Sequence, residues 1–177
     1  MNIKEYGDFY HVDISMQIDN KWKEDTVLGI VKNSRKFSIR IRGRDKEIIK
    51  KKYILDNNSD SDKKHNKKIV AIVYSYLLYK ALCDFPEARP LLLCRDVRPE
   101  IFVIHYLQKT CHFFGNQEVF NRKIKFRKRI EFESKEELPE SLAGKYARKV
   151  YQDKLSASKI INKEELEELI EVIGKIL

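Results

Sequence analysis

The 177-residue chain has little of what marks specialised scaffolds. It contains 6 Gly and 4 Pro, too few for a collagen-like or low-complexity protein. Its cysteines number three, Cys83, Cys94 and Cys111, without a CxxC pair, and this pattern predicts reduced thiols in a cytoplasmic protein. The longest apolar stretch, 69–82, is interrupted by polar residues and is too short to cross a bilayer, so we expect no membrane association.

The sequence contains enough apolar residues for one core, and it carries an excess of positive charge. Hydrophobic residues make up 42% of the sequence, and the length favours a single domain. We expect an α/β core over 1–158 and a C-terminal amphipathic helix over 159–177. Lys and Arg outnumber Asp and Glu by 36 to 27, which gives a net charge of +9 and indicates a polyanionic partner, DNA or RNA. Solubility alone is the alternative explanation of this charge.

Hydrophobic periodicity predicts the order of elements. Alternation over 9–18 and two further apolar segments joined by a turn at Asn33 predict an antiparallel meander of three strands. The polar stretch 55–68 is typical of a mobile loop. After it, the pattern predicts a buried helix at 67–84, a strand at 91–94, a helix from Pro99 to Gly115, a strand at 123–132, and helices at 139–155 and from Asn162. The predicted fold class is α/β, a mixed five-stranded sheet with flanking helices in the order βββαβαβα, plus a C-terminal helix.

Acidic residues occur at three places in this order. Asp13 lies within the first strand in His-Val-Asp-Ile-Ser, Asp96 ends the segment Leu-Leu-Leu-Cys-Arg-Asp, and Glu137 and Glu140 lie near the start of the helix at 139–155. With the element order, they resemble the ribonuclease H-like superfamily over roughly residues 8 to 155, and its RuvC-like Holliday-junction resolvase branch most closely. The resemblance implies a nuclease in which Asp13, Asp96 and Glu140, with Glu137 beside it, are catalytic and hold two metal ions.

The implied chemistry is two-metal hydrolysis of phosphodiesters. Carboxylates brought together repel one another unless cations neutralise them, and Mg²⁺ or Mn²⁺ ions about 4 Å apart can hold a phosphate and activate water. Each acid also has an ordinary interpretation. Asp13 could lie on a solvated strand face, Asp96 could pair with a neighbouring arginine, and the two glutamates could complement a helix dipole.

Basic residues alternate along two predicted strands. Arg40 and Arg42 follow Ser38 on one side of the third strand, with Arg44 just beyond it. The strand at 123–132 places Lys123, Lys125, Arg127 and Arg129 on one side in the same way. Such faces could follow a phosphate backbone. Basic side chains that prevent aggregation at sheet edges are the alternative explanation.

Two other functions fit the same sequence. One is a nucleic-acid-binding protein without catalytic activity. The other is a protein-interaction subunit, because the C-terminal helix carries an apolar stripe that must be covered by its own core, a second copy of the chain or a partner protein. The residues of that stripe are Leu166, Leu169, Ile170, Ile173 and Ile176.

Overall fold

The structure is a computed structural model that describes residues 9–15, 18, 21–56, 59–88, 90–93, 99–120, 124–126 and 142–177. The strands within these residues are β1 Tyr10–Ile14, β2 Thr26–Lys32, β3 Arg35–Ile41, β4 Leu91–Leu93, β5 Ile124–Phe126 and β6 Lys159–Ile160. The helices are α1 Gly43–Tyr53, α2 Asp60–Asp84, α3 Glu100–Phe113, α4 Gln117–Phe120, α5 Leu142–Tyr151 and α6 Lys163–Ile176.

The strands form one mixed sheet in the order β5-β4-β1-β2-β3-β6. The first three form the predicted antiparallel meander. β4 is parallel to β1, β5 is parallel to β4, and β6 is parallel to β3. Among the described strands only β2 runs against the others, so the remaining five end at one edge of the sheet, which we call the carboxyl edge.

The larger core lies on the side of the sheet that we call the α2 face. Tyr10, Val12 and Ile14 of β1 point to this side and are buried. Helices α2, α3 and α6 pack here, and the middle of α2 is buried all round, as its uniformly apolar sequence predicts. The apolar stripe of α6 is covered within the chain, since Leu169 and Ile173 have no exposed surface.

The opposite side, the α5 face, has a much smaller apolar cluster. Val27 of β2 packs there against Ala147 and Val150 of α5. Gly29 explains how close the helix comes, because a Cβ atom at that position would lie 3.0 Å from the carbonyl oxygen of Ala143. A glycine inside a strand often marks such an approach by another element.

The structure confirms an α/β fold with a mixed sheet and flanking helices. The sheet has six described strands instead of five, because β6 adds a short strand beside β3. Helices α1 and α4 are further elements that the predicted order lacks. The prediction of a loop over 55–68 is wrong from Asp60 onward, where α2 begins with Ser59 as its N-cap.

Two smaller predictions also have an outcome. The capping arrangement at the start of the last helix is confirmed. The Asn162 side chain accepts a hydrogen bond from the backbone amide of Glu165, and the Glu165 side chain accepts one from the backbone amide of Asn162. Among the described residues, Cys83 and Cys111 are not joined by a disulfide, and Cys94 lies outside these residues. Within the described ranges, no helix is both long enough and apolar enough to traverse a membrane.

Candidate functional site

Asp13 lies near the carboxyl edge of the sheet, on the α5 face. It is opposite Gly29 in the antiparallel pair with β2, and its side chain is half-buried. Oδ1 accepts a hydrogen bond of 2.9 Å from the Ile14 amide. On the other side of β1, Val12 pairs with Leu93, the last residue of β4. Asp13 is thus one residue beyond the point at which the neighbouring parallel strand ends.

The first turn of α5 lies above this part of the sheet. The approach of Ala143 to Gly29 places that turn over the strand position directly across from Asp13. In the sequence, Glu140 is two residues before the start of α5 and Asp96 is three residues after the end of β4. The segments that carry the predicted acids are therefore connected to elements that flank Asp13.

Of the four predicted acids, only Asp13 belongs to the described residues. Asp96, Glu137 and Glu140 lie outside them. In the part of the chain that the structure describes, no three His, Cys, Asp or Glu side chains are grouped so that they could hold a metal ion.

The expectation of an open basic face along β3 needs correction at Arg40. The side chain of Arg40 is only 13% exposed, and its guanidinium lies 2.8 Å from Asp153 and 3.6 Å from Asp25. It also donates to the carbonyl oxygen of Val150 at the end of α5. Arg40 therefore connects β3 to α5 and is not available on an open surface.

Ser38, on the same side of β3, shows why the correction is needed. It is fully buried, and its hydroxyl is 3.2 Å from that of Tyr146 in α5. The Ser158 side chain accepts a hydrogen bond from the Ser38 amide. Alternation correctly predicts that these polar residues share one side of the strand, but that side is covered by a helix.

The other predicted basic residues have different surroundings. Arg42 is half-buried at the N-cap of α1, and Arg44 in the first turn is exposed and 3.7 Å from Asp45. Both arginines follow the end of β3 and so belong to the carboxyl edge. Lys125 of β5 is exposed, with Nζ 5.3 Å from the centre of the Phe9 ring. Lys123, Arg127 and Arg129 lie outside the described residues.

The C-terminal end of α5 is joined to the β1–β2 loop by a hydrogen bond between side chains. The Tyr151 hydroxyl donates to Glu24 Oε2 at 2.8 Å. This bond, together with one from Lys21, lowers the pKa of Glu24. The same bond to Glu24 raises the pKa of Tyr151. With the contacts of Arg40, it holds the last turn of α5 against the β1–β2 loop.

Sequence reasoning missed two features of this site. Gly29 allows α5 to approach the sheet, and its signal was the single glycine in the apolar segment Thr-Val-Leu-Gly-Ile-Val. The second feature is a row of exposed cations on α5, namely Lys145, Arg148 and Lys149. Their spacing of three and four residues, which puts side chains on one side of a helix, was the available signal.

Comparison of the chain with protein-family models, with curated proteins and with solved structures gave no match.

Proposed function

We propose that this protein is a metal-dependent nuclease that hydrolyses phosphodiesters in DNA or RNA. The observation that carries the proposal is the position of Asp13, half-buried near the carboxyl edge, between the end of β4 and the first turn of α5. Chemistry in sheets of this kind is commonly placed just beyond the carboxyl ends of the strands.

The arrangement of elements supports the ribonuclease H-like resemblance. A meander of three strands is followed by alternating helices and strands, and β4 and β5 extend the sheet from β1 in parallel. The extra elements α1, α4 and β6 leave this arrangement in place, because β6 joins the sheet at the opposite end.

The donor set fits magnesium or manganese. Both ions prefer oxygen ligands, and the predicted set consists of carboxylates alone. Asp13 would bind the ions from β1, with Asp96 and with Glu140 or Glu137 as the remaining ligands. Bound metal would activate a water and stabilise the charge that develops on the phosphate. In the protein, β1 holds the Asp13 carboxylate in place through the Ile14 amide.

A nucleic-acid-binding protein without catalysis is the second candidate. It is supported by the exposed cations Arg44, Lys145 and Lys149, because binding of phosphates by these cations requires no acidic cluster. The interaction-subunit alternative has less support. Its docking stripe on α6 is largely buried, with Leu166, Leu169, Ile173 and Ile176 packed in the core of the same chain.

The test is a cleavage assay on single-stranded, duplex and branched DNA and RNA with Mg²⁺ or Mn²⁺. We expect Asp13→Asn to reduce cleavage by at least about 100-fold, since metal-held phosphates gain several kcal/mol of transition-state stabilisation. Asp60→Asn, the same change at an exposed position of α2, is the matched control and should keep full activity.

Thermal unfolding and binding without metal accompany the assay, so that a folding defect is separated from a loss of chemistry. Equal cleavage by Asp13→Asn and the unchanged chain, or no metal-dependent cleavage of any substrate, would refute the nuclease. Retained binding without cleavage would favour the second candidate.

A further inference from the structure

The two sides of α5 differ sharply in chemistry. The side toward the sheet consists largely of small residues, with Ala143, Gly144 and Ala147 buried. The side away from it carries Lys145, Arg148 and Lys149, all exposed. The small residues pack closely against the sheet, so the cations on the opposite side of the helix face solvent.

One cation from the sheet extends this surface. Lys36 of β3 is exposed, and its Nζ lies 5.9 Å from the centre of the Tyr146 ring. Tyr146 is the neighbour of Lys145 and lies three residues before Lys149 on the same helix. We call Lys36, Lys145, Arg148 and Lys149 the α5 basic face.

Acidic groups near the last turn of α5 are already engaged. Arg40 pairs with Asp25 and Asp153, and Tyr151 donates to Glu24. Within the described part of the chain, Lys145 and Lys149 form no ion pair.

We propose that the α5 basic face binds the phosphate backbone of a nucleic acid and directs it toward Asp13. Nucleic acid as the partner rests on the proposed function. The location follows from the structure, because the helix begins above the strand position opposite Asp13 and extends about 15 Å from it over the sheet.

An anionic membrane is a poorer partner for this helix. An amphipathic helix that binds a bilayer inserts its apolar side. In α5 that side is used against the sheet, since Ala147 and Val150 are fully buried in the cluster with Val27. Phosphate contacts from lysine and arginine need only the exposed side.

The experiment measures the affinity of the full chain for duplex DNA and duplex RNA at several salt concentrations in EDTA. In the variant K145Q/R148Q/K149Q, the slope of log affinity against log salt should become less steep by about 2 to 3 for DNA. The affinity itself should fall on the order of 100-fold at 0.1 M salt. The DNA and RNA arms identify which backbone is preferred.

The matched control is K50Q/K51Q/K52Q, which removes the same charge from exposed positions of α1. It should change the slope much less. A second variant, K145Q/K149Q, should show about two thirds of the triple effect, and a thermal unfolding curve like that of the unchanged chain shows that the fold is intact.

Three results would overturn the assignment: an equal loss in the α1 control, no change in either α5 variant, or tighter binding to phosphatidylserine vesicles than to nucleic acid. Because EDTA prevents metal-dependent cleavage, this assay is separate from the test of the nuclease. Salt-dependent binding that needs α5, in a protein that cleaves nothing, would support the α5 basic face and reject the nuclease.

Discussion

The two sides of the sheet are packed in different ways. On the α2 face, the helices α1, α2, α3, α4 and α6 contribute to one continuous apolar cluster together with β1, β2, β3 and β4. On the α5 face, a ten-residue helix covers a cluster of three fully buried apolar residues, surrounded by polar side chains such as Asp13, Ser38 and Arg40. We infer a division between the two sides. The α2 face supplies most of the free energy of unfolding, and the α5 face holds the polar groups.

The division has a physical basis in desolvation. A carboxylate enclosed in a large apolar core suffers a heavy desolvation penalty, whereas a half-buried carboxylate near a sheet edge suffers much less. Asp13 alternates with buried apolar residues along β1 and so points away from the α2 face. The strand can therefore contribute to the main core and carry a charged group on its other side.

The largest stability effect should come from the α2 face. Leu77 lies in the middle of α2 with no exposed surface. We expect Leu77→Ala to lower the free energy of unfolding by about 2–5 kcal/mol, because close packing on every side leaves a cavity. Urea unfolding at equilibrium measures the change.

A matched pair of valines makes the comparison quantitative. Val73 of α2 and Val150 of α5 are both completely buried, so the change to alanine removes the same atoms from each. The loss should be larger at Val73, because the smaller cluster around Val150 can collapse or admit water. Equal losses would contradict the division between the two sides.

The next effect concerns the ion pairs at the rim of the α2 face. Lys159 Nζ is 2.9 Å from Glu165 Oε1 and 2.6 Å from Asp84, and Lys80 is 3.2 Å from Glu165. Burial raises the pKa of Glu165, but hydrogen bonds from Lys159, the Asn162 amide and Lys80 outweigh it, so the pKa lies below its usual value. Burial lowers the pKa of Lys159, yet its bonds to Asp84 and Glu165 raise it overall.

These shifts set the pH dependence of stability. Glu165 has the lower pKa in the folded state, so its contribution is present above its unfolded pKa of about 4.3 and is lost as the pH falls through the folded value. Lys159 has the higher pKa when folded, so its contribution is present below about 10.4 and is lost as the pH rises through the folded value.

Glu165→Gln should therefore reduce stability at neutral pH by about 1.5–3 kcal/mol and flatten the acid side of the stability profile. Denaturant midpoints measured from pH 3 to pH 10 test this. Lys163→Gln, at an exposed position of the same helix, is the control and should keep the acid side unchanged. A profile for Glu165→Gln parallel to that of the unchanged chain would contradict the prediction.

The smallest effect is expected from two glycines with opposite surroundings. Gly29→Ala should cost about 1–2 kcal/mol, since the new methyl group would meet the Ala143 carbonyl at 3.0 Å and the Ala147 side chain at 3.2 Å. Gly174→Ala, in α6, should raise the free energy of unfolding by about 0.5–1 kcal/mol. The nearest contact of the added Cβ atom would be 3.4 Å away, and alanine favours a helix. Thermal unfolding distinguishes the two signs, and a stabilising Gly29→Ala would show that α5 does not pack tightly on the sheet.

Local patterns predict much of this fold. Alternation locates the meander, the apolar sequence of α2 locates the central helix, and the capping residues Asn162 and Glu165 locate the start of α6. The first turns of α2 were missed because their sequence is polar. They are supported by hydrogen bonds with residues beyond α1, such as those between Asn66 and Leu55, which no local pattern reveals.

The candidate site shows the same limit more clearly. Alternation places Arg40 on the same side of β3 as Ser38, but it carries no information about what covers that side. The ion pair with Asp153 joins residues more than one hundred positions apart, and the helix between them decides that Arg40 is enclosed. Alternating charges in a sequence predict which side chains lie on the same side of a strand. Whether that side is exposed depends on elements that are distant in the sequence and pack against it.

The short strand β6 has a consequence for how the chain reaches this structure. Its neighbour is β3, and the hydrogen bonds between Ser38 and Ser158 join positions separated by 120 residues. Contacts across such separations close long loops and slow folding, whereas the meander needs only neighbours in sequence. We therefore expect the meander to form early in folding and β6 to join the sheet late.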